Sequence, residues 1–201
     1  MYKLYDFLPS GNGYKVRLLL TQLQIPFELI KLNILNGETR TSEFLAKNPN
    51  GKIPLLEIAP DKFLSESNAI LYYLSQETEY FPQDTYEQAQ VMQWLFFEQY
   101  SHEPNIATPR FWLVELQQAD KYREQIEQKR KLGYAALNIM EQHLKNHNFL
   151  VANQYTIADI GLYAYTHVAE EGGFNLAKFP AILAWLERIQ AQPRHILITD
   201  L

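Results

Sequence analysis

Strand-like runs occupy the chain up to Leu64, and none occurs after Asp84. That switch in periodicity limits the fold more than any other feature. Tyr2 to Phe7 has strand composition. Tyr14 to Leu23 reads as a helix with Val16, Leu19, Leu20 and Leu23 along one face, entered through a turn that Gly11 and Gly13 free. Phe27 to Leu32 alternates as a second strand. The β-helix-β order favours a parallel pair with a right-handed crossover. Thr41 to Lys47 makes a short helix that Asn48-Pro49 ends. Pro54 to Ile58 and Asp61 to Leu64 form an antiparallel pair around Ala59-Pro60, and Ser67 to Ser75 is the next helix. Glu77 to Asp84 links this part to the rest, with Phe81-Pro82 as its anchor. Beyond it only helices are expected. Tyr86 to Leu116 is a long one that Pro104 and Pro109 kink or interrupt, and Asp120 to His147 is another, capped by Asp120. Thr156-Ile157-Ala158-Asp159 is a capping-box pattern opening a third through Val168, and Pro180 to Gln190 is a fourth with Pro in its first turn. The fold class is α/β plus all-α: a mixed domain over residues 1–80, then a helical-bundle domain over residues 86–201. A chain of 201 residues suffices for two small domains.

Charge and cysteine content narrow the function. Lys and Arg total 18 against 23 Asp and Glu, a net charge of −5 with no basic run, so neither nucleic acid nor an anionic membrane is an expected partner. No apolar run is long enough to span a bilayer, and Met1-Tyr2-Lys3-Leu4 leads into a strand without a signal-peptide core. Cysteine is absent, which excludes disulfides, thiolate zinc sites and a thiol nucleophile supplied by the protein. A reducing, cytoplasmic location fits that composition. His143, His147, His167 and His195 lack a metal-ligand arrangement with supporting carboxylates, so no metal is expected.

Three loops carry the candidate chemistry. Leu8-Pro9-Ser10-Gly11-Asn12-Gly13 joins the first strand to its helix. Asn48-Pro49-Asn50-Gly51-Lys52-Ile53-Pro54 is a turn ending in a proline at the start of a strand. Ser65-Glu66-Ser67-Asn68 joins a strand to another helix. Asn50-Gly51 is a strong turn signal, and a cis bond before Pro54 would turn the Ile53 backbone outward, able to pair with an extended peptide. Together the three loops resemble the glutathione-binding half of the glutathione S-transferase family, and the resemblance extends over the helical half. The Ser-Gly-Asn turn looks most like the bacterial branch that places a Ser or Thr and an Asn beside the thiol.

The resemblance implies a thioredoxin-like first domain, a cis-proline at Pro54, and glutathione as co-substrate. Each part of glutathione then finds a partner. Ile53 suits the cysteinyl backbone, and Ser67 with the helix N-terminus suits the γ-glutamyl carboxylate. Glu66 suits the γ-glutamyl ammonium, and Lys52 the glycyl carboxylate. Glu38, Thr39 and Arg40 belong to the same end without a fixed place. A free thiol has a pKa of about 8.5 and reacts as the thiolate, so the site must stabilise an anion. Ser10 and Asn12 offer a hydroxyl and an amide donor beside a helix N-terminus; their plain alternative is a helix-capping turn, and Tyr5 and Tyr14 are rival hydroxyl donors.

Tyr100, His102, Arg110 and Trp112 are candidates for a second, small electrophilic or apolar substrate. His102 is either a base or a buried hydrogen-bonding group, and Arg110 either an anion anchor or an interdomain ion pair. Trp94, Phe96, Phe97 and Trp112 read as core or interface packing before a ligand box. The expected activity is glutathione transfer. The alternatives are glutathione-dependent disulfide or peroxide reduction, which would use only the thiols of glutathione, and a non-catalytic protein that binds glutathione or another ligand. A homodimer is implied by the resemblance, with Tyr72, Tyr73 and the aromatic start of the long helix available for an interface.

Overall fold

The computed structural model describes residues 1–200 and divides into two compact units, residues 1–77 with 193–200, and residues 78–192. The first is built on a four-stranded sheet: β1 (Tyr2–Asp6), β2 (Phe27–Lys31), β3 (Leu55–Ala59) and β4 (Lys62–Ser65), in the order β2-β1-β3-β4. β1 and β2 run parallel around helix α1 (Gly11–Gln22), and β3 is antiparallel to both β1 and β4. Helices α2 (Ser42–Lys47) and α3 (Ser67–Ser75) complete the unit. This is the mixed arrangement expected from the sequence, and it is thioredoxin-like.

Strand alternation decides what each sheet face buries. Tyr5 and Leu55 are register partners and pack with Phe44 of α2, with Ile30, Leu32, Ile53 and Phe63 around them. Leu4 and Leu56 point to the opposite face and are fully buried. So are Val16, Leu19 and Leu20 of α1 and Ile70 and Leu71 of α3, two helices that pack against each other.

An ion pair is part of this interior. Arg17 and Asp6 are both fully buried and paired, Nε to Oδ2, at 3.0 Å. Burial raises the Asp6 carboxyl, while the Arg17 guanidinium and the Phe7 N–H pull the other way. The same guanidinium donates to the Leu8 carbonyl at 2.8 Å and to the Ile198 and Asp200 carbonyls at 2.9 and 2.6 Å. Tyr14 donates its hydroxyl to the Ile196 carbonyl at 2.7 Å. The chain from Pro193 therefore packs in the first unit, whereas the sequence reading assigned everything from residue 86 onward to the helical part. The reason is the set of backbone carbonyls that a buried Arg and Tyr can collect, a tertiary match without a local pattern.

The second unit is helical. Helix α4 (Thr85–Phe97) is capped by Asp84, which accepts from the Tyr86 and Glu87 N–H groups. The helical path continues through a π turn at Glu98–His102, helix α5 (Glu103–Arg110) and a second π turn at Phe111–Glu115. The two π turns flank the stretch carrying Pro104 and Pro109, so the prolines widen the helix and do not break it. Helix α6 (Arg123–Leu144) begins later than expected. Asp120 does not cap it, because its carboxylate takes the Arg123 guanidinium at 2.6 Å instead. Helix α7 (Ile157–Thr166) is buried along its whole length, and helix α8 (Pro180–Gln190) follows with proline in its first turn. The expected capping box is present: Thr156 caps α7 and Asp159 returns a bond to the Thr156 N–H at 3.0 Å. Asp159 also accepts from the Leu150 N–H and the Trp185 indole, and its burial raises the carboxyl to about 6. No helix among the described residues is long and apolar enough to cross a membrane.

Candidate functional site

The first and third of the three loops meet at the N-termini of α1 and α3. Ser10 is the N-cap of α1, its Oγ accepting a long bond from the Gly13 N–H at 3.4 Å. Accepting there uses a lone pair and leaves the hydroxyl proton for a different partner. Gly13 is in the helix without a positive φ, so its role differs from the turn freedom read in the sequence. A Cβ there would overlap the Asp6 carboxylate. The missing side chain lets the first turn of α1, with Ser10 and Asn12, lie directly against the buried Asp6–Arg17 pair.

Asn12 and Ser67 are joined across the two loops, Ser67 Oγ donating to Asn12 Oδ1 at 3.2 Å. Lys15 closes the group from below. It is fully buried, and its Nζ donates to Asn12 Oδ1 at 2.9 Å, Ser67 Oγ at 3.2 Å and Asn68 Oδ1 at 3.3 Å. Two helix N-termini with their partial positive charge, two hydroxyls, two amides and an ammonium thus gather in one place. Such a collection of donors suits an anion. Glu66, exposed at the entry to α3, adopts φ 68° and ψ 111°, a sparsely populated backbone state for a residue with a side chain.

The middle loop runs into β3 beside the third loop, Leu55 pairing with Ser65. The Ile53–Pro54 bond is cis. Ile53 lies just outside the sheet register, which begins at Leu55 paired with Tyr5. Asn48 holds the loop by donating its amide to the Lys52 carbonyl at 2.8 Å, and Gly51 takes φ +62°, as the Asn-Gly turn requires. Lys52 is exposed, and Arg40 reaches the same loop, donating to the Asn50 carbonyl at 3.2 Å. Of the three neighbours without a fixed place, Arg40 therefore joins this basic end. Glu38 accepts from the Asn33 N–H at 2.6 Å and Thr39 is buried.

The rival hydroxyls are committed elsewhere. Tyr5 donates to Glu57 at 2.7 Å, and burial with that carboxylate pushes its phenol up to about 12. Tyr14 is turned to the Ile196 carbonyl. Among the second-substrate candidates, Tyr100 is 89% exposed. Trp112 stacks on Tyr122 with ring centroids 4.5 Å apart. His102 takes the internal alternative: it is fully buried, with Nε2 2.8 Å from Thr166 Oγ1. Arg110 forms an ion pair, but within the helical unit, with Glu171 at 2.7 Å and Glu115 at 3.9 Å. Among the described residues no cluster of three or more His, Cys, Asp or Glu side chains is arranged to hold a metal. Lys15 escaped the sequence reading. Its signal was its place three residues after Asn12 and four before Leu19, beside the apolar stripe of α1.

Comparison with known proteins decides the family. Residues 1–76 match the model of the glutathione S-transferase N-terminal domain, and residues 89–193 that of the C-terminal domain. The chain belongs to the glutathione S-transferase family. A crystal structure of a glutathione S-transferase from Pseudomonas fluorescens Pf-5 has a TM-score of 0.97 to it at 49% identity, covering 99% of each chain. The disulfide-bond oxidoreductase YfcG of Escherichia coli K12 is 32% identical over 96% of this chain and 92% of its own. The structure of Ure2p in complex with glutathione has a TM-score of 0.86 at 25% identity, covering 96% of this chain and 95% of that one.

Proposed function

We propose that this family member binds glutathione in its first unit and activates the thiol as a thiolate for transfer to a small electrophile. The observation that carries the reading is the Asn12–Ser67 bond, which brings the N-termini of α1 and α3 together as one cluster of donors. Ser10 and Asn12 are the catalytic residues, donating from hydroxyl and amide to the sulfur. Ser67, its hydroxyl proton given to Asn12, takes the γ-glutamyl carboxylate through the backbone N–H groups at the start of α3, while Glu66 takes the ammonium, Ile53 beside Pro54 the cysteinyl backbone, and Lys52 the glycyl carboxylate. The thiolate forms a bond to the electrophilic carbon as the leaving group departs with the bonding pair. The acceptor is assigned to the helical unit, with Tyr100 and Trp112 as the candidates for its contacts. The complex of Ure2p with glutathione supports the ligand class.

A second reading concerns the acceptor. The similarity to YfcG, a disulfide-bond oxidoreductase, favours a disulfide in that role. The absence of cysteine then means that two glutathione molecules supply both thiols, yielding two product thiols and glutathione disulfide. A titration of glutathione across pH, followed by heat and by thiolate absorbance, tests the shared step. The expected result is a bound thiol pKa below its usual value of about 8.5, raised again in Ser10→Ala or Asn12→Ala with binding largely kept. An ordinary pKa in the bound state would leave a glutathione-binding protein without thiol activation. Turnover with a chloroarene, a peroxide and a small disulfide then separates the reactions. Exposed aromatic residues on both units, Tyr72 and Tyr73 at 43% and 39% and Phe96 at 66%, fit a homodimer, which sedimentation as a monomer at working concentration would refute.

A further inference from the structure

A lysine with no solvent exposure is uncommon, and Lys15 is held there by oxygens on three different side chains. An ammonium can only donate. Lys15 Nζ therefore requires an oxygen from Asn12, because the reversed amide would set an NH2 group against an NH3 group at 2.9 Å. Ser67 reinforces the choice: its Oγ accepts from Lys15 and donates to the same Asn12 oxygen. Asn12 Oδ1 thus receives two protons, and the amide NH2 is turned away from the ammonium. We propose that Lys15 is a positioning residue that locks the Asn12 amide with its donor end presented to the sulfur of glutathione. Turned the other way, the amide would set its oxygen against the sulfur, and an oxygen facing a thiolate repels it. The inference rests on the glutathione reading above. It adds to that reading the reason why an amide, which can face either way, acts there as a donor.

The test measures the pKa of the bound thiol in Lys15→Met and Lys15→Gln, each made in the wild-type and in the Asn12→Ala background. Thiolate absorbance gives the pKa, calorimetry the glutathione affinity, and thermal melting reports whether each variant folds. The expected result is a rise of about one unit in Lys15→Met, about tenfold less thiolate at pH values below the pKa. That rise should vanish when Asn12 is already alanine. An unchanged thiol pKa in Lys15→Met overturns the inference, as does an equal rise with and without Asn12, which would mark Lys15 as a through-space charge. Weakened binding at an unchanged thiol pKa overturns it too, since Lys15 would then serve a carboxylate of the ligand. Where Lys15→Met does not fold, Lys15→Gln decides: its amide retains a donor for Asn12, so the thiol pKa should stay within about half a unit of wild type. A rise as large as that of Asn12→Ala would refute the locking role. If the wild type binds glutathione without lowering the thiol pKa, or does not bind it, the glutathione reading itself fails and the inference falls with it. That outcome is visible before any Lys15 variant is compared.

Discussion

At position 13 a single hydrogen sets the geometry of the candidate site. A methyl group there would overlap the carboxylate of Asp6, which is fixed by Arg17 and the Phe7 N–H and has no room to withdraw. Gly13→Ala should therefore destabilise the fold by about 1–3 kcal/mol, the usual cost of overpacking, although alanine is the better helix former. Denaturant unfolding measures it, and an unchanged midpoint would show that α1 can shift outward without penalty. The sequence displayed this glycine and misdirected its explanation toward turn flexibility. Ser10, Asn12 and Ser67 could be singled out as candidates because they lie in loops whose pattern is local. Lys15 and Arg17 were not, because a charged residue inside an interior depends on oxygens brought from Ser67, Asn68, Leu8 and Ile198.

At the scale of the element, α7 depends on one carboxylate. Asp159 accepts from the N–H and hydroxyl of Thr156, the Leu150 N–H and the Trp185 indole, so it ties the start of the helix to the preceding loop and to α8. Asp159→Ala removes a cap and strands several buried donors. A loss of about 2–4 kcal/mol is expected by denaturant unfolding, more than the ~1 kcal/mol of a cap alone. A loss no larger than an ordinary cap would mean that water replaces the carboxylate. Sequence spacing sufficed to find this box, since Thr and Asp three apart before an apolar run have few other uses. It failed at α6, where Asp120 has the same residue type but a closer attraction in Arg123. The long helix shows a similar limit. Pro104 and Pro109 announced an irregularity, and the packing of α5 against α6 and α7 kept the path helical through π turns.

For the molecule as a whole, residues 193–200 act as a strap on the first unit. Arg17 gathers two of their carbonyls while also holding Asp6 and Leu8, the latter two residues before Ser10. Arg17→Met leaves Asp6 buried without its cation and should cost about 3–5 kcal/mol, with faster amide exchange in both α1 and the strap. Unchanged exchange in the strap would show that other contacts retain it. His195, next to the Tyr14 hydroxyl, adds a pH dependence. Burial lowers its pKa below the ordinary value of about 6.5, with the Asp200 charge opposing. The folded state then binds fewer protons than the unfolded one in that range. The stability from neutral His195 is present above about 6.5 and lost as the pH falls below it. The melting advantage of wild type over His195→Gln should shrink on acidification through that window, and a constant difference would remove His195 from the account.

The sequence by itself determined the order of the elements, the change from a mixed to a helical half, the Asn-Gly turn, the capping box and the loops that carry Ser10, Asn12, Glu66 and Ser67. All of these rest on interactions between residues a few positions apart, which periodicity and turn chemistry report. Only the tertiary structure decided that Asn12 and Ser67 touch, that Lys15 and Arg17 are interior, that His102 is buried against Thr166, and that the last residues return to the first unit. Each of those depends on partners remote in the chain. A polar side chain's place inside or outside is set by whether distant oxygens and hydroxyls arrive to satisfy it, and no local pattern encodes that arrival.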